Sequence, residues 1–208
     1  FEGYNMMRKL GCPFMLITDP RLEGGAFYID NADLENKVLA YIKEKINELG
    51  FTYSDVVISG MSMGTYGALN YGSKLSPYAL ILAKPLTEMG TVAENERINR
   101  PGVFATSLDL LIKNYGSLSR KDVLEFNKRL WKKFDKADWS NTKFVISYLY
   151  EDDYDTDGYK NILMHLKSAG VQVYGKGTHG HHMENNEIVV GWFRSQYRLI
   201  LEEDFNRK

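Results

Sequence analysis

Ser62 stands in the turn Gly60-Met61-Ser62-Met63-Gly64, a Gly-x-Ser-x-Gly pattern. A serine hydroxyl is a poor nucleophile at neutral pH and needs a base to take its proton. Further along, the chain supplies carboxylates at Glu151, Asp152, Asp153 and Asp155, then histidines at His179, His181 and His182. Serine, acid, histidine is the chain order of triads built on a sharp strand-to-helix turn. The chemistry this implies is acyl transfer through a covalent acyl-serine.

Five residues with two glycines arise easily by chance, so the surroundings must carry the meaning. Val56-Val57-Ile58-Ser59 is apolar and β-branched, a buried strand leading into the turn. Thr65 to Tyr71 reads as a helix leaving it, with Ala68 small enough for close packing. Gly60 and Gly64 are expected to remove side chains that would strike neighbouring backbone. The N–H of Met63, at the start of the helix, is then placed to donate to an oxyanion, with the helix dipole adding to the field. A second donor is expected in the loop Asp19 to Gly25, where Pro20 has no N–H to give. The competing reading is a glycine turn whose serine only caps the next helix.

The acid stays open between Glu151 and Asp152, adjacent residues that point in different directions. Spacing from the strand favours Asp152, and Asp153 and Asp155 read as solvated. The base stays open between His181, which follows Gly180, and His182. His179 reads as a loop residue, and His165, in a helical stretch, as a structural histidine. Two metal readings fall short. Asp153-x-Asp155-x-Asp157-Gly158 begins like a calcium loop, but its twelfth position is Met164 and not a glutamate. A zinc site would need His179 to converge with the adjacent His181 and His182 on one ion, which neighbours in a chain do not easily do. No metal and no tightly bound cofactor are expected. An acyl donor would enter as co-substrate.

The elements that must position these groups alternate between strand and helix. Pro13-Phe14-Met15-Leu16-Ile17 reads as a first strand, ended by Asp19-Pro20. After a loop with Gly24-Gly25, Asp30 or Asn31 can cap a helix with Leu34, Val38, Tyr41, Ile42, Ile46 and Leu49 on one face, stopped by Gly50. Leu80-Ile81-Leu82-Ala83, Phe144 to Tyr150, and Val171 to Tyr174 supply further strands. Tyr159 to Ser168 reads as a helix, and Val189, Phe193, Tyr197 and Ile200 mark a last one. Between the third and fourth strands, residues 87–140 show no strand pattern and read as a helical insertion with a locally basic, solvated outer face. The fold class is α/β, an α/β-hydrolase-like, mostly parallel sheet flanked by helices. Residues 1–208 read as one such domain, and the opening at Phe1, without Met, reads as part of a longer chain.

The charge balance of 26 basic against 27 acidic residues gives a net charge of -1, so no global field draws the chain to nucleic acid. No apolar run reaches transmembrane length. One cysteine, Cys12, cannot build a disulfide framework, which favours a reducing, cytoplasmic setting.

Several segments outside the triad carry a resemblance. They are Ile58 to Leu69 around the turn, Lys84-Pro85-Leu86, Asn95-Glu96-Arg97-Ile98-Asn99-Arg100-Pro101-Gly102, Thr106 to Leu111, Glu151 to Asp155, and Trp192-Phe193. Together they resemble the carboxyl-terminal domain of the second of the accessory secretion ("Asp") proteins of the accessory Sec system of Gram-positive bacteria. The resemblance implies export of serine-rich-repeat glycoprotein adhesins. It implies work beside an accessory SecA motor and other accessory secretion proteins, at the inner face of the membrane through the translocase. It also implies O-acetylation of N-acetylglucosamine on the adhesin. Carried onto this chain, Ser62 matches the nucleophile, a carboxylate of Glu151-Asp152 the acid, and His182 the base. Two rivals keep the same fold: a non-catalytic scaffold of the secretion complex, and a plain carboxylesterase.

Overall fold

The computed structural model describes residues 4–21, 28–29, 32–167 and 170–206. Among them, four strands form one sheet in the order β1-β2-β3-β4, all parallel: β1 Val57–Met61, β2 Ala79–Ala83, β3 Lys143–Leu149 and β4 Val173–Thr178. The register sets Gly60 opposite Leu82 and Ile146 opposite Gly175. Strand β2 is buried along its whole length, as an interior parallel strand must be when both faces are covered.

Side-chain alternation along the central strands divides the core in two. Leu80, Leu82, Phe144 and Ile146 face one layer. That layer holds α3 (Met63–Leu75), α4 (Met89–Ile98), α5 (Thr106–Tyr115), α6 (Arg120–Phe134) and α7 (Asp153–His165). Ala79, Ile81, Ala83, Val145 and Leu149 face the other, where α8 (Asn186–Leu199) lays down Val189, Phe193 and Tyr197. Helix α6 shows how the sequence sets an element. Ser119 caps it by accepting from the N–H of Asp122, and Val123, Phe126, Leu130, Trp131 and Phe134 recur on its buried stripe. The stretch between β2 and β3 is helical, as α4, α5 and α6. Two of its basic residues do not face solvent. Arg129 and Lys133 both bind Glu35, a buried carboxylate on α2 (Ala32–Glu48).

Two expectations need correction. Pro13 to Ile17 forms no strand; it runs irregularly after α1 (Tyr4–Lys9), with Phe14 41% and Met15 39% exposed. A short apolar run becomes a strand only where a sheet edge and an apolar layer receive it, and here the run meets neither. Helix α7 begins at Asp153, six residues before the expected start. Gly24, Gly25, Asp30 and Asn31 lie outside the described residues.

Candidate active site

The turn after β1 holds Ser62 in a tightly constrained backbone. Ser62 sits at φ 51, ψ -118, outside the regions L-residues prefer, a strain of about 1–3 kcal/mol. Three bonds hold it there. Its N–H donates to the Ala83 carbonyl at 2.8 Å. Its carbonyl accepts from the hydroxyl of Thr65 at 2.6 Å, and that hydroxyl in turn accepts from the N–H of Leu86 at 2.9 Å. Gly60 is obligatory by contact, since a Cβ there would lie 2.1 Å from the Gly64 carbonyl oxygen. Gly64 is not, because a Cβ there meets nothing within 4 Å; the expected steric role belongs to Gly60 alone.

Ser62 occupies the cap position of α3 but makes no capping bond with its side chain. Its Oγ lies instead 2.7 Å from Nε2 of His182, which removes the reading of a serine that only caps a helix. Met63 is the first residue of α3, so its N–H has no acceptor within the helix. Of the loop expected to give a second donor, the base is described. Asp19 forms a two-pronged pair with Arg21, at 2.6 Å for each bond, and accepts the N–H of Tyr28. Burial alone would raise the Asp19 carboxyl, but the Arg21 bond and charge and the Tyr28 N–H outweigh it and hold the pKa below the ordinary carboxylate range. Residues 22–27 of that loop lie outside the described residues.

The acid beside His182 is Asp155. Its Oδ1 meets Nδ1 of the imidazole, and its Oδ2 accepts the N–H of Leu149 at 3.1 Å. Glu151 and Asp152 do not reach the imidazole. Asp152 is the cap of α7, accepting from the N–H groups of Tyr154 at 2.9 Å and Asp155 at 3.4 Å. Its other oxygen accepts the backbone N–H of His182 at 3.1 Å, so it holds His182 by its main chain. Glu151 turns outward to Nδ1 of His179 at 2.7 Å and to the N–H of Gly180. Asp155 had read as solvated, yet it is fully buried. The early start of α7 explains this. Asp155, Gly158 and Ile162 share the buried stripe of that helix at i, i+3 and i+7. That spacing is the signal that could have found it.

Asp155 carries the electrostatic cost of its place. Burial pushes its carboxyl up, the His182 bond and charge and the Leu149 N–H pull it down, and the charge of Asp152 pushes it up further. The net direction is upward.

The remaining histidines are placed elsewhere. The side chain of His181 is exposed. His165 stacks on Trp131 with centroids 4.0 Å apart and bonds Asp135 at 2.7 Å, a structural role. Asp152, Asp155 and His182 do bring one ligand atom each within 4.8 Å of one another. However, the Asp155 and His182 atoms already bind each other, and both Asp152 oxygens accept backbone N–H groups. Cys12 is half-buried, with its thiol 3.6 Å from the Leu10 carbonyl.

The stretch from Asn95 to Phe104 covers His182, a placement that sequence alone did not supply. The buried carboxylate of Glu96 gathers the N–H groups of Gly102, Val103 and Phe104. Phe104 then meets the His182 ring edge-on at 5.2 Å. Arg100 bonds Asp153 at 2.9 Å and lies 4.7 Å over the Tyr154 ring, closing the same wall.

A family model described as the accessory Sec system GspB-transporter matches residues 1–207. The second Asp-type accessory Sec system protein of Streptococcus gordonii is 44% identical over all 208 residues, which span 41% of that protein. The chain thus spans about two-fifths of the length of this curated relative. The Glycosylation Associate Protein (Gap123) complex from Streptococcus agalactiae contains a chain that superposes with a TM-score of 0.94 at 44% identity, covering all of this chain and 40% of that one. The capsule O-acetyltransferase of Neisseria meningitidis serogroup A superposes at 0.65 with 20% identity, covering 86% of this chain and 68% of that one; the likeness is one of fold, which is α/β-hydrolase-like. Among the described residues no helix is long and apolar enough to cross a membrane.

Proposed function

The chain belongs to the accessory Sec system GspB-transporter family, and on that premise we propose that it is the acyl-transfer domain of the export apparatus, with Ser62 as nucleophile, His182 as base and Asp155 as acid. The observation that carries this reading is the 2.7 Å approach of Ser62 Oγ to His182 Nε2, on a strained turn with a buried carboxylate at Nδ1.

With Nδ1–H donating to Asp155, Nε2 holds the free lone pair. It takes the Ser62 proton as Oγ bonds the acyl carbon of the donor. The oxyanion so formed is met by the Met63 N–H at the dipole end of α3. Collapse breaks the bond to the leaving group, which departs with the proton from Nε2. A sugar hydroxyl then gives its proton to Nε2, its oxygen bonds the acyl carbon, and Ser62 leaves with the proton restored.

The acceptor we assign is N-acetylglucosamine on a serine-rich-repeat adhesin, acetylated on oxygen in the cytoplasm beside the accessory SecA motor. Support comes from family membership and from a likeness of fold to a capsule O-acetyltransferase. The Gap123 relative is part of a complex, which supports other accessory secretion proteins as partners. The test supplies the full-length protein and its partners with acetyl-coenzyme A, or p-nitrophenyl acetate, and an N-acetylglucosamine-bearing serine-rich peptide. Mass spectrometry of the peptide should find an acetyl group with wild type and none with Ser62→Ala. Ester turnover with no sugar product would reduce the reading to a carboxylesterase. No Ser62-dependent reaction with every partner present would leave a scaffold.

A further inference from the structure

Lys84 is a lysine buried to 2% exposure at the end of the central strand, one residue past β2, and the reaction above gives it nothing to do. Its backbone is strained, with φ 54 on a residue that is not glycine. Its N–H donates across the sheet edge to the Ser147 carbonyl at 2.9 Å. Its ammonium donates to three oxygens, two in the loop after β4 and one on the first residue of α8: the carbonyl of His182, the carbonyl of Glu184 at 2.8 Å, and Oδ1 of Asn186 at 2.6 Å. None of the three belongs to a carboxylate. An ammonium has three donors and no acceptor, which matches three inward-facing oxygens; a planar guanidinium does not. Burial pulls the Lys84 pKa down, against the upward push of the Asp155, Asp152 and Glu184 charges.

The neighbours of Lys84 make this contact more than loop stabilisation. Ala83, just before it, holds the N–H of Ser62 on its carbonyl. Pro85, just after it, presents its carbonyl to α7, where a Cβ on Gly158 would come within 2.2 Å. Three consecutive residues thus grip the nucleophile, the main chain of the base and the helix of the acid. We propose that Lys84 is a positioning residue that fixes His182 relative to Ser62 by tying the His182 backbone to the sheet edge that carries the nucleophile. The proposal rests on the acyl-transfer reading of Ser62.

Removing the ammonium frees the loop while leaving Ser62, His182 and Asp155 in the chain. In Lys84→Met, a fluorophosphonate should label Ser62 about 100-fold more slowly, the cost of a misplacement of about 1 Å. With p-nitrophenyl acetate the loss should fall on kcat, with KM within about two-fold, because the group acts on the base and not on substrate. A spectroscopic signature needs no turnover. The proton between His182 and Asp155 should give a low-field resonance in wild type that is missing in His182→Gln, and Lys84→Met should lose it by exchange while circular dichroism stays native. A folded Lys84→Met with wild-type labelling and the resonance intact overturns the proposal. If Lys84→Met does not fold, Lys84→Gln keeps a shorter donor and decides: about 10-fold slower labelling supports the proposal, and a wild-type rate with the resonance in place overturns it. If wild type labels no faster than Ser62→Ala, the acyl-transfer reading has failed, and the resonance alone judges Lys84.

Discussion

Among the described residues, two of the three histidine–carboxylate pairs are drawn from the same two segments, the end of β3 with the start of α7 and the loop after β4. In one, His182 meets Asp155 with side chains 4% and 0% exposed. In the other, His179 meets Glu151 with side chains 87% and 43% exposed. Both pairs engage Nδ1, so residue type and pairing do not separate them. Burial does. It pushes the Asp155 carboxyl up, whereas the bonds from His179 and the Gly180 N–H pull the Glu151 carboxyl down. The inner pair spends stability to hold a charge where water does not screen it; the outer pair is an ordinary surface contact.

Removing each imidazole in turn separates the two pairs most strongly. His182→Gln should slow acylation of Ser62 by on the order of 10⁴-fold or more, and His179→Gln by no more than about two-fold. Stopped-flow measurement of p-nitrophenol release reads both, and equal losses would erase the distinction.

Next is Asp155→Asn, which should lower the same rate by about 10³–10⁴-fold, because the amide no longer fixes the tautomer. Its stability should move the other way. A carboxyl whose pKa is raised on folding contributes stability below its unfolded pKa and loses it as pH rises through the folded value. The ionised Asp155 therefore opposes folding at neutral pH. Asp155→Asn should melt at or above the wild-type temperature at pH 7–8, with the advantage fading as pH falls through about 4. Calorimetry across that range checks the sign.

Asp152→Ala sharpens the contrast from the side. It removes the cap of α7, about 1 kcal/mol, and leaves the buried His182 N–H without its acceptor, about 1–3 kcal/mol more, so melting should fall by roughly 4 °C or more and acylation by about 10-fold. The smallest effect belongs to Glu151→Gln, with acylation within about two-fold of wild type and no resolved change in melting.

Much of this was legible in the sequence. The Val56–Ser59 run, Gly60 and the chain order led to Ser62 and, with the resemblance, to His182. The carboxylate at His182 Nδ1 was not, because its identity depends on where α7 begins. Reading a helix from Tyr159 left Asp155 on a solvated loop. With the start at Asp153, Asp152 becomes a cap and Asp155 turns inward with Gly158 and Ile162. The strand expected at Pro13 to Ile17 failed for a related reason: its apolar composition is real, but pairing partners are not written in a five-residue run. The roof by Phe104 depends on Glu96 gathering three N–H groups of a later turn, a tertiary contact that no local pattern announces.

The residue that carries the acyl group decides between these roles. Wild type, Ser62→Ala, Asp155→Asn and Glu151→Gln would each be quenched shortly after mixing with p-nitrophenyl acetate, and the peptide containing Ser62 weighed by mass spectrometry. An acetyl group is expected on Ser62 in wild type and Glu151→Gln, almost none in Asp155→Asn, and none in Ser62→Ala. An unmodified Ser62 in folded wild type, or equal loss in the Glu151 and Asp155 variants, would contradict the roles assigned to Ser62 and Asp155.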